Sequence, residues 1–390
     1  MSLAQGRTHL ATPGPSIIPD KVLEAMHRAA PNIYEGEIIE ITESVLKDLT
    51  SFAKTSGDAI LYVANGHGAW EAAVANLFDP GDTVLVMATG QFGLGWADLC
   101  KKMNLNVILV DFGFEKSVDH EKLTTTLKND PYYKIKGIFT VQTDTASSVL
   151  NNIKSIAHTI ETCNHPALFL VDSIACFGCD RFEMDEWGVD VAVTGSQKGF
   201  MLPAGLAIVG FSDKARAAVE TATLLRTFFD IRDMEKGYAA DAFPYTPPVG
   251  LMNGLKRSIE MIEAEGLENV FARHTRIAKG VRRAVEAWGL ELCANAPELY
   301  SDSVSAIRTP EGFNATDIVT RADEQYGMAF GFGLGEVAGK VFRIGHLGML
   351  TDAMMLSGLG VAEMVMKDLG LDIKLGSGVC AAQEFYRYGA

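Results

Sequence analysis

Hydrophobic positions in the middle of the chain fall into short, nearly continuous runs, separated by longer stretches with a helical repeat. The runs are 82–89 (DTVLVMAT), 106–112 (NVILVDF), 136–142 (KGIFTVQ), 167–173 (ALFLVDS), 191–196 (VAVTGS) and 206–212 (LAIVGFS). Strands buried on both faces read this way, because no position is left for water. Segments 91–104, 118–129 and 151–163 space their apolar residues as a one-sided helix does. The alternation predicts an α/β domain on a mostly parallel sheet covered by helices. After a long Glu-, Arg- and Ala-rich helical stretch at 249–288 the texture changes. Short strands are predicted at 290–294, 304–309, 328–332 and 341–346, with helices at 314–326 and 351–369. The expected division is an N-terminal arm over 1–20, a large domain over 21–255 and a smaller α+β domain over 256–390.

Composition narrows the classes. At 390 residues, 48% hydrophobic and 21% charged, the chain can bury an ample core without staples. Lys plus Arg is 34 against 49 Asp plus Glu, a net charge of −15. That argues against nucleic acid or an anionic membrane surface as partner. An anionic substrate must then meet locally placed cations or backbone N–H groups. The six cysteines are irregularly spaced, at 100, 163, 176, 179, 293 and 380. A reducing cytoplasm is the expectation. No run of about 18 apolar residues is free of polar breaks, so no membrane span is predicted.

Two strand ends carry candidate chemistry. Asp172 ends the run ALFLVDS, and Lys198 follows VAVTGS through Gln197. Open α/β sheets collect ligands outside the carboxyl ends of their strands, so a carboxylate and an amine are delivered to one rim. A desolvated amine can lose its proton and form a Schiff base with an aldehyde, while a carboxylate can hold a protonated pyridine nitrogen. Those are two requirements of pyridoxal phosphate chemistry. The stretch Ala64-Asn65-Gly66-His67-Gly68 precedes an apolar helical run. Small residues at a helix start let backbone N–H groups approach a phosphate, although the same pattern serves a plain tight turn. Cys176-Phe177-Gly178-Cys179 has no second pair and makes a poor metal site, so none is expected. Gly333-Leu334-Gly335 with Ala338 mimics a dinucleotide fingerprint, but a strand rather than a helix follows.

Position by position, the chain resembles the class V, fold-type I pyridoxal-phosphate aminotransferases, in the serine–, alanine– and aspartate–glyoxylate branch. The segments that carry the resemblance include TPGPSIIPDKVLEAM, NGHGAWEAA, LFLVDS, VTGSQKG, YTPPVG, EGLENVFARH and GKVFRIGHLG. The resemblance implies a homodimeric transaminase that moves the amino group of serine, alanine or aspartate to glyoxylate. Lys198 is then the Schiff-base lysine, and Asp172 pairs with the pyridinium nitrogen. Gly66 and His67 bind the phosphate through their backbone, with Gln197 beside it. Thr246 reaches the phosphate from the other subunit. Phe92 stacks on the cofactor ring, Thr145 contacts it through a hydroxyl, and Ile174 belongs to the same cofactor set. Arg343 clamps the substrate carboxylate, as a bidentate Arg–carboxylate pair would for any amino or keto acid.

The chain departs from the family pattern in three places. Phe243 stands where an aromatic hydroxyl is usual. Gln142-Thr143-Asp144 replaces a His-x-Glu sequence before Thr145. Ile33-Tyr34-Glu35-Gly36 replaces a His-Arg-Ser stretch near the substrate mouth, which bears on donor choice. Cysteine desulfuration, and transamination to pyruvate, are the rival reactions on the same cofactor.

Overall fold

A computed structural model describes residues 8–239 and 243–389. Seven strands form the central sheet: β1 (Asp58–Ala64), β2 (Thr83–Ala88), β3 (Asn106–Asp111), β4 (Ile135–Val141), β5 (Leu168–Asp172), β6 (Val191–Gly195) and β7 (Gly205–Phe211). Their spatial order is β1-β7-β6-β5-β4-β2-β3. Neighbours from β6 to β3 pair in parallel, and β7 runs antiparallel to both β6 and β1. The mostly parallel sheet covered by helices is therefore present.

Both faces of the sheet are buried along its inner strands, which is why these lack polar alternation, but the edge strand β3, expected to be buried as well, leaves Ile108 and Leu109 exposed because no strand pairs beyond it among the described residues. Leu85 and Met87 of β2 enter one core with Leu61, Ile138 and Leu206. Val84 and Val86 enter the opposite core with Trp70, Trp96 and Phe139. One strand escaped the hydrophobic-run reading. β1 (DAILYVA) has a charged first residue and runs directly into the Asn65–Gly68 turn.

The second unit is built on a three-stranded antiparallel sheet, Val304–Arg308, Val341–Gly345 and Gly331–Phe332. The predicted helices at 314–326 and 351–369 appear as Ala315–Tyr326 and Asp352–Asp368. Two strand expectations are reduced. The 290–294 segment contributes a single bridge, Leu292 to Ile307. The 328–332 segment breaks into Met328–Ala329 and Gly331–Phe332. The long 249–288 stretch is two helices, Val249–Glu265 and Leu267–Ala287, because Gly266 at φ +85° turns the chain between them. The first helix packs on Asp20–Met26 and Glu37–Ala53 of the large unit, and the second on the C-terminal helix Ser377–Tyr388.

The arm crosses between the two units. His9–Leu10 pairs in parallel with Met328–Ala329, and Gly345 N–H donates to the Ala11 carbonyl at 2.7 Å. The first seven residues of the arm lie outside the described residues. A side chain at Gly345 would strike the arm backbone, with its Cβ 1.9 Å from the Thr12 carbonyl oxygen. Gly345→Ala should therefore cost about 1–3 kcal/mol by overpacking. It should also release the arm, read as a lower denaturation midpoint with faster proteolysis before residue 20. An unchanged midpoint and digestion pattern would show that the arm does not depend on this contact.

Candidate active site

The carboxyl ends of five strands converge on one rim. β1 ends at Ala64, β2 at Ala88, β4 at Val141, β5 at Asp172 and β6 at Gly195. The segments leaving these ends carry Gly66 and Phe92 at helix starts, and Thr145, Ile174 and Lys198 in loops.

Asp172 is 3% exposed. Its Oδ1 accepts the Ile174 N–H at 2.8 Å and its Oδ2 accepts the Trp70 indole N–H at 2.9 Å. Burial pushes its carboxyl up to about 7, against the pull of those two donors, and the nearby Asp144 adds to the rise. Trp70 had no assigned role in the sequence, although it lies four residues after Gly66 in the quoted helix start.

Lys198 sits in the loop after β6. Loss of solvent and, after it, the Arg343 cation bring its amine down to about 8, against the pull of Asp172. The arm covers it. The Pro13 carbonyl accepts a hydrogen bond from Nζ. Ser16 gives its N–H to the Gln197 carbonyl at 3.0 Å and its hydroxyl to the Lys198 carbonyl at 2.7 Å. Gly14, at φ +123°, leaves the space that Lys198 uses, since a Cβ there would lie 2.5 Å from Nζ. These arm contacts were invisible in the sequence, because the partners lie some 180 residues apart.

At the other end of the site, Asn65 caps the helix Gly66–Leu77, with its Oδ1 accepting the His67 N–H at 3.1 Å and the Gly68 N–H at 3.4 Å. The His67 amide is thus already engaged. Gly66 opens the first turn, where amides lack intrahelical acceptors. Ile174 packs on Gly66, whose Cβ would lie 2.4 Å from Ile174 Cδ1. Gln197 and Gly66 meet at Gly195, where a Cβ would lie 2.8 Å from Gln197 Oε1 and 3.4 Å from the Gly66 nitrogen. Gln197 Oε1 and Ser173 Oγ are buried with no hydrogen-bond partner among the described residues. Buried polar atoms of this kind call for a missing group. Flipped, the Gln197 amide presents its N–H groups to an anion.

Arg343 comes from the small unit, in the middle of the strand Val341–Gly345, and is 8% exposed. Its Nε donates to the Phe332 carbonyl at 2.7 Å and its Nη1 to the Thr145 carbonyl at 2.8 Å. Burial lowers it to about 10, and Asp144 opposes that, so it stays a cation at neutral pH. Phe92 opens the helix Gln91–Lys102, with its ring edge-on to Trp70 at 6.4 Å. Phe243 packs half-buried against Tyr238, with no hydroxyl to offer. Thr246 is exposed on the segment entering the helix Val249–Glu265. Among the described residues it makes none of the contacts that join the Lys198 group. Cys176 and Cys179 are buried, unpaired thiols held in the neutral form by burial.

The family model for aminotransferase class-V matches residues 9–338. The chain is 54% identical over 381 residues to an L-aspartate–glyoxylate aminotransferase of Paracoccus denitrificans, covering 96% of this chain and 95% of that one. It is 44% identical over 385 residues to a serine–glyoxylate aminotransferase of Hyphomicrobium methylovorum, covering 98% and 95%. The structure superposes on a pyridoxamine–pyruvate aminotransferase from Mesorhizobium loti with a TM-score of 0.93, at 27% identity and full coverage of both chains.

The raised carboxyl of Asp172 makes a pH prediction. Folded, it holds its proton up to about 7, whereas the ordinary value is 3.8. Between those values the folded state binds more protons than the unfolded one, so this group's contribution to stability is lost as pH rises. Asp172→Asn should flatten the fall of the melting temperature with pH across that window, in protein stripped of bound small molecules. Asp144 and Asp180, both raised to about 6, remain in each variant and share the direction. Identical slopes would mean that Asp172 is already ionised when the protein is empty.

Proposed function

The chain belongs to the class-V aminotransferases, and on that footing we propose that it transfers the amino group of a small L-amino acid (serine, alanine or aspartate) to glyoxylate, yielding glycine and a 2-oxo acid. The observation that carries this reading is the convergence of Lys198, Asp172 and Arg343 on one rim, in a chain that aligns end to end with two glyoxylate aminotransferases. The class is pyridoxal phosphate-dependent, and the orphaned Gln197 Oε1 near Gly66 fits that group.

Asp172 would hold the proton on the cofactor's ring nitrogen. Gly66 and Gln197 would hold its phosphate, with Thr246 contributed from the second subunit of a homodimer. Phe92, Thr145 and Ile174 would line the ring. When bound, pyridoxal phosphate supplies an aldehyde carbon that takes up the amine and an aromatic ring that absorbs charge as the Cα proton leaves. The chain's own work is to orient and to move protons. Lys198 Nζ, brought down to about 8, can give up its proton near neutral pH and act as the base at Cα. Arg343 keeps two of its five N–H groups on carbonyls and leaves an end-on pair for the substrate carboxylate. The arm lies across Lys198 and shields its amine.

Lys198→Ala should fold, bind less cofactor and show almost no turnover. In wild type, borohydride should fix pyridoxal phosphate to the peptide that contains Lys198. A label on another lysine would remove Lys198 from the role.

The clamp is tested by Arg343→Lys, which keeps the charge but loses the planar fork. Glyoxylate has no side chain, so kcat/KM for it should fall by about tenfold or more, a bidentate pair contributing on the order of 1.5–3 kcal/mol. Pyruvate, with a methyl group to pack, should lose less. A wild-type preference for pyruvate would overturn the acceptor assignment, and indifference of both acceptors would overturn the clamp.

A further inference from the structure

One buried carboxylate in the site has no part in the reading above. Asp144 is 0% exposed and lies on the two-residue strand Thr143–Asp144. Its Oδ2 accepts the N–H groups of Phe92 at 2.8 Å and Gly93 at 3.0 Å, and its Oδ1 accepts the Ala146 N–H at 3.1 Å. Phe92 and Gly93 belong to the first turn of the helix Gln91–Lys102. That helix has glycine as its own N-cap, with no side chain to satisfy those amides. Its cap therefore comes from a residue 52 positions away. Gly90 leaves the room, since a Cβ there would lie 2.5 Å from the Asp144 carboxyl carbon.

The turn that carries Asp144 is itself rigid. The Ser148 N–H returns to the Asp144 carbonyl at 2.8 Å, and Ser147 Oγ donates to the Thr89 carbonyl at 2.8 Å. Asn151 spans Thr89 Oγ1 and the Val141 carbonyl, each at 2.8 Å. The next residue along, Thr145, gives its carbonyl to Arg343. Asp144 thus stands between two groups that act on different molecules. On one side is the helix start that presents Phe92, and on the other is the carbonyl that aims Arg343.

We propose that Asp144 is a positioning residue that ties the start of the Phe92 helix to the Thr145 turn, so that the ring contact and the carboxylate clamp keep a fixed spacing. The inference rests on Phe92 as the ring contact and Arg343 as the clamp. Removing the charge should loosen both at once, although Asp144 reaches neither ligand.

The test uses holoprotein and three readouts: pyridoxal phosphate affinity, visible circular dichroism of the bound cofactor, and calorimetric affinity for glycolate. Glycolate has the carboxylate and two-carbon frame of glyoxylate but cannot accept an amino group. Asp144→Asn should weaken cofactor and glycolate binding by about five- to tenfold each, since hydrogen bonds to a charged group are at stake. It should also change the dichroism, which reports ring orientation. The control is Glu363→Gln. Glu363 is also a buried carboxylate that takes backbone N–H groups, those of Gly376, Gly378 and Val379, but it lies in the small unit away from the site. It should lower the melting temperature and leave all three readouts unchanged.

A double-mutant cycle separates action through Phe92 from general loosening. In a Phe92→Leu background, Asp144→Asn should change cofactor affinity by less than about twofold. Full additivity, or an Asp144→Asn protein that binds both ligands as Glu363→Gln does, would overturn the proposal. Should Asp144→Asn yield no folded protein, Asp144→Glu carries the same test. Its longer stem must push the helix start outward, and wild-type affinities in that variant would overturn the proposal equally. If instead Phe92→Leu and Arg343→Lys bind both ligands normally, the assignment of those two contacts falls, and the failure lies there rather than with Asp144.

Discussion

A carboxylate held out of water at the end of the central strand organises this molecule. Taking an ionised group from water costs several kcal/mol even after relaxation. The fold answers with two donors to Asp172, the Ile174 amide and the Trp70 indole. Each such bond returns on the order of 1.5–3 kcal/mol, and the carboxyl still rises to about 7. The site is therefore left one positive partner short, and a protonated ring nitrogen is suited to that place. The same donors set the frame. Trp70 belongs to the helix that opens at Gly66, and it stacks on Trp96 at 5.6 Å, from the helix that opens beside Phe92. The Asp172–Trp70 bond thus fixes two helix starts relative to one strand end.

Lys198 faces the matching constraint with opposite sign. Desolvation and Arg343 lower its amine, and Asp172 restrains the fall. A lysine left near its ordinary value would be protonated at neutral pH and useless as a base. One pushed far lower would lose the attraction to Asp172. The arm contributes to this balance by excluding solvent over Lys198, which ties the chemistry to the packing of Gly345 against Thr12. Stability of the small unit and the state of the amine are in that sense one problem.

Much of this was legible in the sequence because it depends on local pattern. Strands buried on both faces must be apolar at every position, so β2 and β4 to β7 stand out, while β3 has the same apolar run yet is an exposed edge strand. Asp172 and Lys198 stand at strand ends, where topology alone predicts a shared rim. Long-range relations were not legible. That β7 runs against its neighbours leaves no mark on a run apolar at each position. The 290–294 segment has strand composition but finds only one bridge partner, so its pattern overstated its pairing. Asp144 stood in the sequence only as a departure before Thr145, since its amide partners are about 50 residues away. Trp70 lies in the apolar helical run after Gly66 and is core, yet its one polar atom is aimed at Asp172.

With Arg343 as the proposed clamp, local electrostatics would let an acidic protein take anionic substrates. A net charge of −15 repels a carboxylate at long range, but salt screens that field within about 8 Å at physiological ionic strength. Inside the site, Arg343 as the proposed clamp would act at contact distance and be screened little. Its desolvation is met in advance by two backbone carbonyls, of Phe332 and Thr145, rather than by a carboxylate in contact. That choice matters. A direct Asp or Glu partner would have to be displaced by each substrate, and the exchange would gain little. Carbonyls orient the guanidinium without cancelling its charge, and Asp144 sits behind the Thr145 turn, where its charge acts on Arg343 without an ion pair. A guanidinium held in this way stays rigid and available, as the proposed clamp on a two-carbon acceptor with no other handle would have to be.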